Sequence, residues 1–300
     1  MASGPAFVTG GDGFAGRFLV AELGDDAVAP HRSELDLLDA GAVRAAVAAA
    51  VPASVFHLAA HASVASSWGD PALVLRENVE MTANLLEAVR VEVPGAVVVF
   101  ASSAEIYGPP SALPIDELAP LRPQNPYAVS KAACDLLAGQ YADAHGLEVV
   151  RVRGFNQAGP GQSDDYVVGT IARQIAEAEA AGANEAVVRT GNPDAARDFI
   201  DVRDAARAYI AAAGVPAGAY NACSGAATSV RQLVELAARA ARIPVRHELD
   251  PERVRTSDVP EVRGTAERLT AAAGWTPAIE LERTVADAIE AWRTELASAR

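Results

Sequence analysis

Lysine is nearly absent from this chain. Of 25 basic residues in 300, one is a lysine, Lys131, and the rest are arginines. Cysteine is scarce too: Cys134 and Cys223 are too few for a disulfide framework, and no Cys/His set accompanies them to make a zinc site. Both read as buried, reduced thiols. No apolar run approaches the roughly 20 residues that cross a bilayer, and the opening MASGPAFVTGG lacks a basic stretch ahead of an apolar signal core. The expectation is a cytoplasmic protein with no metal and no membrane attachment. Positive charge is short overall. A formal net charge of -14 repels polyphosphates and argues against nucleic acid or anionic membrane as a partner. An anionic small molecule would need local arginines.

What is present is 50% hydrophobic, enough for 300 residues to bury one large core or two modest ones. AFVTG (6–10) reads as a short buried strand, and the segment after it has helical spacing through Phe14, Phe18, Leu19 and Leu23. The pattern repeats, with strands at 27–30, 54–60, 96–103 and 147–153, a helix from about residue 40, and helices over 71–91 and 126–144. This alternation predicts an α/β fold: a doubly wound parallel Rossmann sheet over residues 1–153. Beyond Arg153 the alternation weakens into Gly/Pro-rich turns. Residues 154–300 are therefore expected to form mainly a smaller C-terminal substrate-binding domain, with helices near 166–182, 228–242 and 280–297 and some segments returning to the sheet. The proline-rich stretch 109–126 reads as an ordered excursion over a site.

Gly10, Gly13 and Gly16 stand between the first strand and the first helix, spaced GxxGxxG. Glycines in that place allow a tight turn, admit a pyrophosphate to main-chain N–H groups and bring helix close to strand. The context points to a dinucleotide, with Phe14 beside it. At the tip of the second strand, His31 and Arg32 replace the acidic residue that an NAD ribose would want. Arg32 suits the 2'-phosphate of NADP, but an exposed loop arginine would look the same, so NADP and NAD both stay open. Asp36 and Leu37 fall where an adenine would lie. Leu58, Ala59 and Ala60, at the end of the third strand, fall along the cofactor.

The lone lysine ends the stretch YAVSK, four residues after Tyr127. On a helix that spacing puts both side chains on one face. An ammonium beside a phenol favours the phenolate, and would draw a pKa of ~10 toward neutrality. Lysine is a compact charge that can also reach a ribose hydroxyl; an arginine fork would do this poorly. Ser103, ending the strand before this helix, offers a hydroxyl to the same substrate oxygen.

The glycine turn, HLAA (57–60) and the Ser103/Tyr127/Lys131 set together resemble the extended short-chain dehydrogenase/reductase family. NPYAVSK, FNQAGPGQ, GNPDAARDFIDVRD, YNACSG and GWTP are similar to its nucleotide-sugar branch, above all to the GDP-4-keto-6-deoxy-D-mannose reductases and GDP-mannose 4,6-dehydratases. The resemblance covers nearly the whole chain. It implies that Asn156 holds the diphosphate of a nucleotide sugar, that Arg197 lies by the nucleotide, that Arg255 clamps a phosphate and that Asp258 meets a ribose. It also implies a homodimer joined through a four-helix bundle of the 71–91 and 126–144 helices. Glu105 follows Ser103 at the spacing of the carboxylate that takes the C5 proton in the dehydratases, yet the second strand is followed by the short HRSELDLLD, as in the reductases. The implied reaction is NAD(P)H-dependent reduction of the C4 keto group of GDP-4-keto-6-deoxy-D-mannose to GDP-D-rhamnose, with Glu105 as a sugar contact. A 4,6-dehydratase, a 4-epimerase, or a non-catalytic dinucleotide-binding regulatory module are the alternatives.

Overall fold

The computed structural model describes residues 4–253 and 259–298. The first half alternates: β1 (Ala6–Thr9), α1 (Gly16–Leu23), β2 (Ala27–Val28), α2 (Ala40–Ala50), β3 (Ser54–His57), a short α3 (Val64–Ser67), α4 (Pro71–Glu92), β4 (Val97–Ser103), α5 (Pro126–His145) and β5 (Val149–Gly154). There follow β6 (Asn156–Ala158), α6 (Val167–Ala180), β7 (Ala186–Thr190), β8 (Ala196–Asp201), α7 (Val202–Ala212), β9 (Gly218–Ala222), β10 (Ala227–Ser229), α8 (Val230–Ala240), β11 (Val245–Leu249), β12 (Glu261–Val262), α9 (Glu267–Ala273) and α10 (Leu281–Ser298).

Six parallel strands form the main sheet in the order β2-β1-β3-β4-β5-β9. Its central strands are continuous apolar runs because helices cover both faces. On one face Leu19 of α1, Ala208 and Tyr209 of α7 and Leu269 of α9 pack against Val8, Val99 and Val152. On the other, Val43 and Val47 of α2, Leu85 and Val89 of α4 and Ala138 of α5 pack against Phe7, Val98 and Val149. The chain thus forms the doubly wound parallel sheet read from its sequence. β2 is shorter than expected. It is an edge strand with Val28 exposed, and Pro30 has no N–H to extend the ladder.

The two long helices owe their starts to their sequence. Asp70 and Asn125 accept hydrogen bonds from the N–H groups of Leu73 and Ala128, and a proline follows each at the first helical position. A separate core lies among α6, α8, α10 and β7, where Ile171, Ile175, Leu233, Val188 and Ile289 are buried. The excursion 109–126 packs down through Ile115, which pairs with Gly264. Both cysteines are free and buried. No helix among the described residues is long and apolar enough to cross a membrane.

Candidate active site

β1 pairs with β2 on one side and β3 on the other, so the winding reverses between β1 and β3. At such a point the carboxyl ends of the strands leave a crevice. Here it is a cleft of about 920 Å³. Gly10 turns the chain out of β1 with φ +71°, a left-handed backbone that favours glycine. A Cβ at Gly16 would fall 1.9 Å from the Gly10 carbonyl oxygen, so α1 approaches the turn closely only because that residue is glycine. The N-cap of α1, Ala15, has no side-chain hydrogen bond to give. The Arg17 N–H is taken by the Gly13 carbonyl at 3.1 Å, and the glycine cradle at this helix start fits the pyrophosphate of a dinucleotide.

Phe14, Arg32, Asp36, Leu37, Leu58, Ala59 and Ala60 line the same cleft. Leu37 is buried, and Asp36 accepts a hydrogen bond from the N–H of Leu38 at 3.0 Å. Arg32 is exposed and has no carboxylate partner among the described residues.

Ser103, Glu105, Tyr127 and Lys131 lie in this cleft as well, at the ends of β4 and α5. Ser103 Oγ accepts from the N–H of Glu105 at 3.2 Å and is hydrogen-bonded to Tyr127. Asn125, which caps α5, also donates to Glu105 Oε2 at 3.0 Å, fixing that carboxylate beside Tyr127. Lys131 is buried, donates Nζ to the Ala101 carbonyl and lies 4.5 Å from the centre of the Phe100 ring. One expectation is corrected here. The phenol of Tyr127 is not drawn toward neutrality: burial pushes it above its ordinary value, the bond from Ser103 offsets this in part, and Glu105 adds to the rise. Burial in turn lowers Lys131. Shared helix face was legible from spacing; the desolvation that raises the phenol was not.

Behind these residues lies a buried polar layer. Asp135, one turn beyond Lys131, accepts from Ser102 Oγ at 2.7 Å, Arg153 Nη2 at 2.9 Å and Arg151 Nη1 at 3.2 Å. Burial alone would raise its carboxyl, but Arg153, Ser102 and Arg151 hold it below the usual carboxylate range. His57, ending β3, lies between Thr9 Oγ1 at 2.7 Å and Thr82 Oγ1 at 3.1 Å. Thr82 donates to the Asn78 carbonyl, so it accepts from Nε2–H and leaves Nδ1 to accept from Thr9. Burial, with the charge of Lys131 second, lowers this imidazole to about 3.

At the far side of the cleft, Asn156 lines the wall and donates to the Asp198 carbonyl at 3.3 Å. Arg197 lines it too, with Nη1 held by the carbonyls of Ala196 and Val259 at 2.9 and 2.8 Å. Arg255 and Asp258 lie outside the described residues.

Comparison with known proteins decides the family. The chain matches the GDP-mannose 4,6 dehydratase family over residues 29–288. It belongs to that family. It is 35% identical to the GDP-6-deoxy-D-mannose reductase of Pseudomonas aeruginosa over 298 residues, 97% of each chain. It is also 31% identical to the UDP-glucose 4-epimerase of Mycolicibacterium smegmatis, over 96% of this chain and 98% of that one. Among solved structures, RMD from Pseudomonas aeruginosa complexed with NADPH is similar with a TM-score of 0.88 at 34% identity, covering 98% of this chain and 100% of the other.

The family match begins at residue 29, beyond the glycine turn, so the reading of that turn rests on its geometry and on relatives that span it. Among the cleft residues that escaped the sequence reading are Gln157, Gln162, Tyr166 and Tyr209. The two glutamines stand in FNQAGPGQ, where the glycines around them were the available signal. Tyr209 is in α7, hydrogen-bonded from Gln157 Nε2 at 2.8 Å and pushed up to about 12 by burial. Its sequence neighbours ARAYIAAA give only the pattern of a packed helix.

Proposed function

We propose that this chain reduces the C4 keto group of GDP-4-keto-6-deoxy-D-mannose to GDP-D-rhamnose, drawing on NADPH or NADH. One observation carries the reading: Ser103, Glu105, Tyr127 and Lys131 converge on the cleft that holds the glycine cradle, in a chain that aligns nearly end to end with a GDP-6-deoxy-D-mannose reductase. The bound dinucleotide supplies the hydride from its reduced nicotinamide. Gly10, Gly13, Phe14 and Gly16 hold its pyrophosphate, Arg32 meets a 2'-phosphate, and Asp36, Leu37 and residues 58–60 flank the adenosine and the rest of the dinucleotide.

Reduction leaves negative charge on O4, which needs a proton. Tyr127 carries one throughout the neutral range because burial raises its phenol, and it donates that proton to O4 as the alkoxide forms. Ser103 orients the same oxygen. Lys131 has three N–H bonds, so it can keep its contact with Ala101 while donating to a ribose hydroxyl. Glu105, held by Asn125, accepts from a sugar hydroxyl. Asn156 and Arg255 hold the diphosphate end, Arg197 lies by the nucleotide and Asp258 meets the ribose, so that residues 154–300 supply most of the nucleotide-sugar site.

We also place the enzyme in the cytoplasm, to which its two buried free thiols are suited, and as a homodimer. α4 and α5 pack on each other and leave Leu75, Val129 and Leu136 exposed, apolar surface that a four-helix bundle would cover.

The test is spectrophotometric. Purified protein given the 4-keto sugar should consume one reduced nicotinamide per product formed. A 4-epimerase or 4,6-dehydratase returns its hydride within the turnover and would consume none on its own substrate. No oxidation of either NADPH or NADH overturns the proposal.

A further inference from the structure

We infer that Gln162 is a specificity-determining residue whose side-chain oxygen accepts a hydrogen bond from a hydroxyl of the hexose. The inference rests on the nucleotide-sugar reading above and adds a residue to it.

Gln162 closes the turn Gly159–Gln162 between β6 and α6. Its main-chain N–H donates to the Gly159 carbonyl at 3.3 Å, and Arg17 of α1 pins the turn by donating Nη2 to the Pro160 carbonyl at 2.7 Å. The side chain is 5% exposed and lines the cleft. Its Nε2 donates to the Gln157 carbonyl at 2.6 Å. A carbonyl only accepts, so the amide cannot be turned round, and Oε1 is the atom left over. That oxygen is buried with no hydrogen-bond partner. Among the described residues four buried side-chain atoms lack a hydrogen bond, on Arg151, Gln162, Trp292 and Arg173, the last of which faces the Asp164 carboxylate, and only Gln162 belongs to the cleft wall. Native proteins seldom leave a buried acceptor unmet, and the residue that carries this one lines the cleft.

The partner must be a donor. Diphosphate oxygens only accept at neutral pH, which excludes them. The position within the cleft selects the sugar over the base. Gln157, the residue that orients Gln162, bonds Tyr209, and both Tyr209 and Tyr166 lie near enough to Tyr127 to raise its phenol. Gln162 is therefore at the reacting end, where the hexose hydroxyls are the donors that the substrate brings.

The test uses protein loaded with NADPH and calorimetric titration with GDP and with GDP-mannose. Gln162→Met keeps length and volume but removes the oxygen; Gln162→Asn withdraws it. Each variant should bind GDP-mannose about tenfold more weakly, with GDP and NADPH within about twofold of wild type. A loss shared equally by GDP and GDP-mannose marks a nucleotide or folding role and overturns the inference, as does no loss in either. Where the methionine variant fails to bind NADPH, circular dichroism decides: lost helix content means it has not folded and the asparagine variant decides by the same criteria, whereas an intact fold means Gln162 meets the cofactor and overturns the inference. Wild type that binds neither GDP nor GDP-mannose sinks the nucleotide-sugar reading itself, and this inference with it.

Discussion

Lys131 donates its ammonium to the carbonyl of Ala101, on the strand that ends in Ser103, rather than to the phenol one helical turn away. Tyr127 and Lys131 thus each fasten α5 to β4, one through Ser103 and one through the main chain. The arrangement suits a proton donor. Burial keeps the phenol protonated before a substrate arrives, and Ser103 stands beside it.

Replacing Tyr127 by phenylalanine keeps the ring and removes the proton. Tyr127→Phe should lower kcat for reduction by about 10²–10⁴-fold, with the NADPH Kd, measured by fluorescence titration, changed by less than about twofold.

The pH profile tests the correction directly. The protonated phenol is the active form, and its pKa is raised, so activity is retained below that value and lost only as pH rises through it. The kcat for reduction should show no descending limb below about pH 10. A limb near neutrality that disappears in Tyr127→Phe would mean that Lys131 tunes the phenol in the ternary complex.

His57 stays neutral in the fold, with a pKa of about 3 against an ordinary 6.5. A depressed value contributes stability that is present above the unfolded pKa and lost as pH falls from there toward the folded one. That loss is on the order of 5 kcal/mol across the window. Urea denaturation at a series of pH values should show it in wild type, and His57→Gln should have a shallower acid slope below about pH 6.5.

Asp135 answers two guanidinium groups at once. Asp135→Asn leaves Arg153 buried without its counter-charge and should cost about 3–5 kcal/mol in urea denaturation. A cost under about 1 kcal/mol would mean that water or a rearranged side chain reaches Arg153.

Arg32 distinguishes the two cofactors. If it meets a 2'-phosphate, Arg32→Ala should raise the KM for NADPH about tenfold or more and leave that for NADH nearly unchanged. Equal effects on both would make Arg32 an ordinary surface arginine.

Much of the fold was readable because punctuation and pattern agreed. Asp70-Pro71 and Asn125-Pro126 announce helix starts with a cap and a fixed φ, and apolar runs such as VVVF announce strands covered on both sides. The small sheet of β6, β8, β10 and β12 was not readable. Its strands are two to six residues long and carry Asn, Arg, Asp and Ser, so neither length nor alternation separates them from loop. The site divides in the same way. Residues with special backbone or spacing, such as Gly10 and the Tyr127/Lys131 pair, were legible. Asp135, His57 and Gln162 act through burial and long-range partners, which sequence distance conceals.

β9 and α7 come from the later half of the chain but complete the first core: β9 pairs along β5 from Val150 to Gly154, and α7 packs against α1. A chimaera joined at residue 153 would therefore lose a strand from its sheet and a helix from one face, and with it Tyr209 and Tyr220. Exchange of sugar specificity between relatives has to proceed by grafting the intervening loops onto a retained frame, because the frame itself is woven from both ends of the polypeptide.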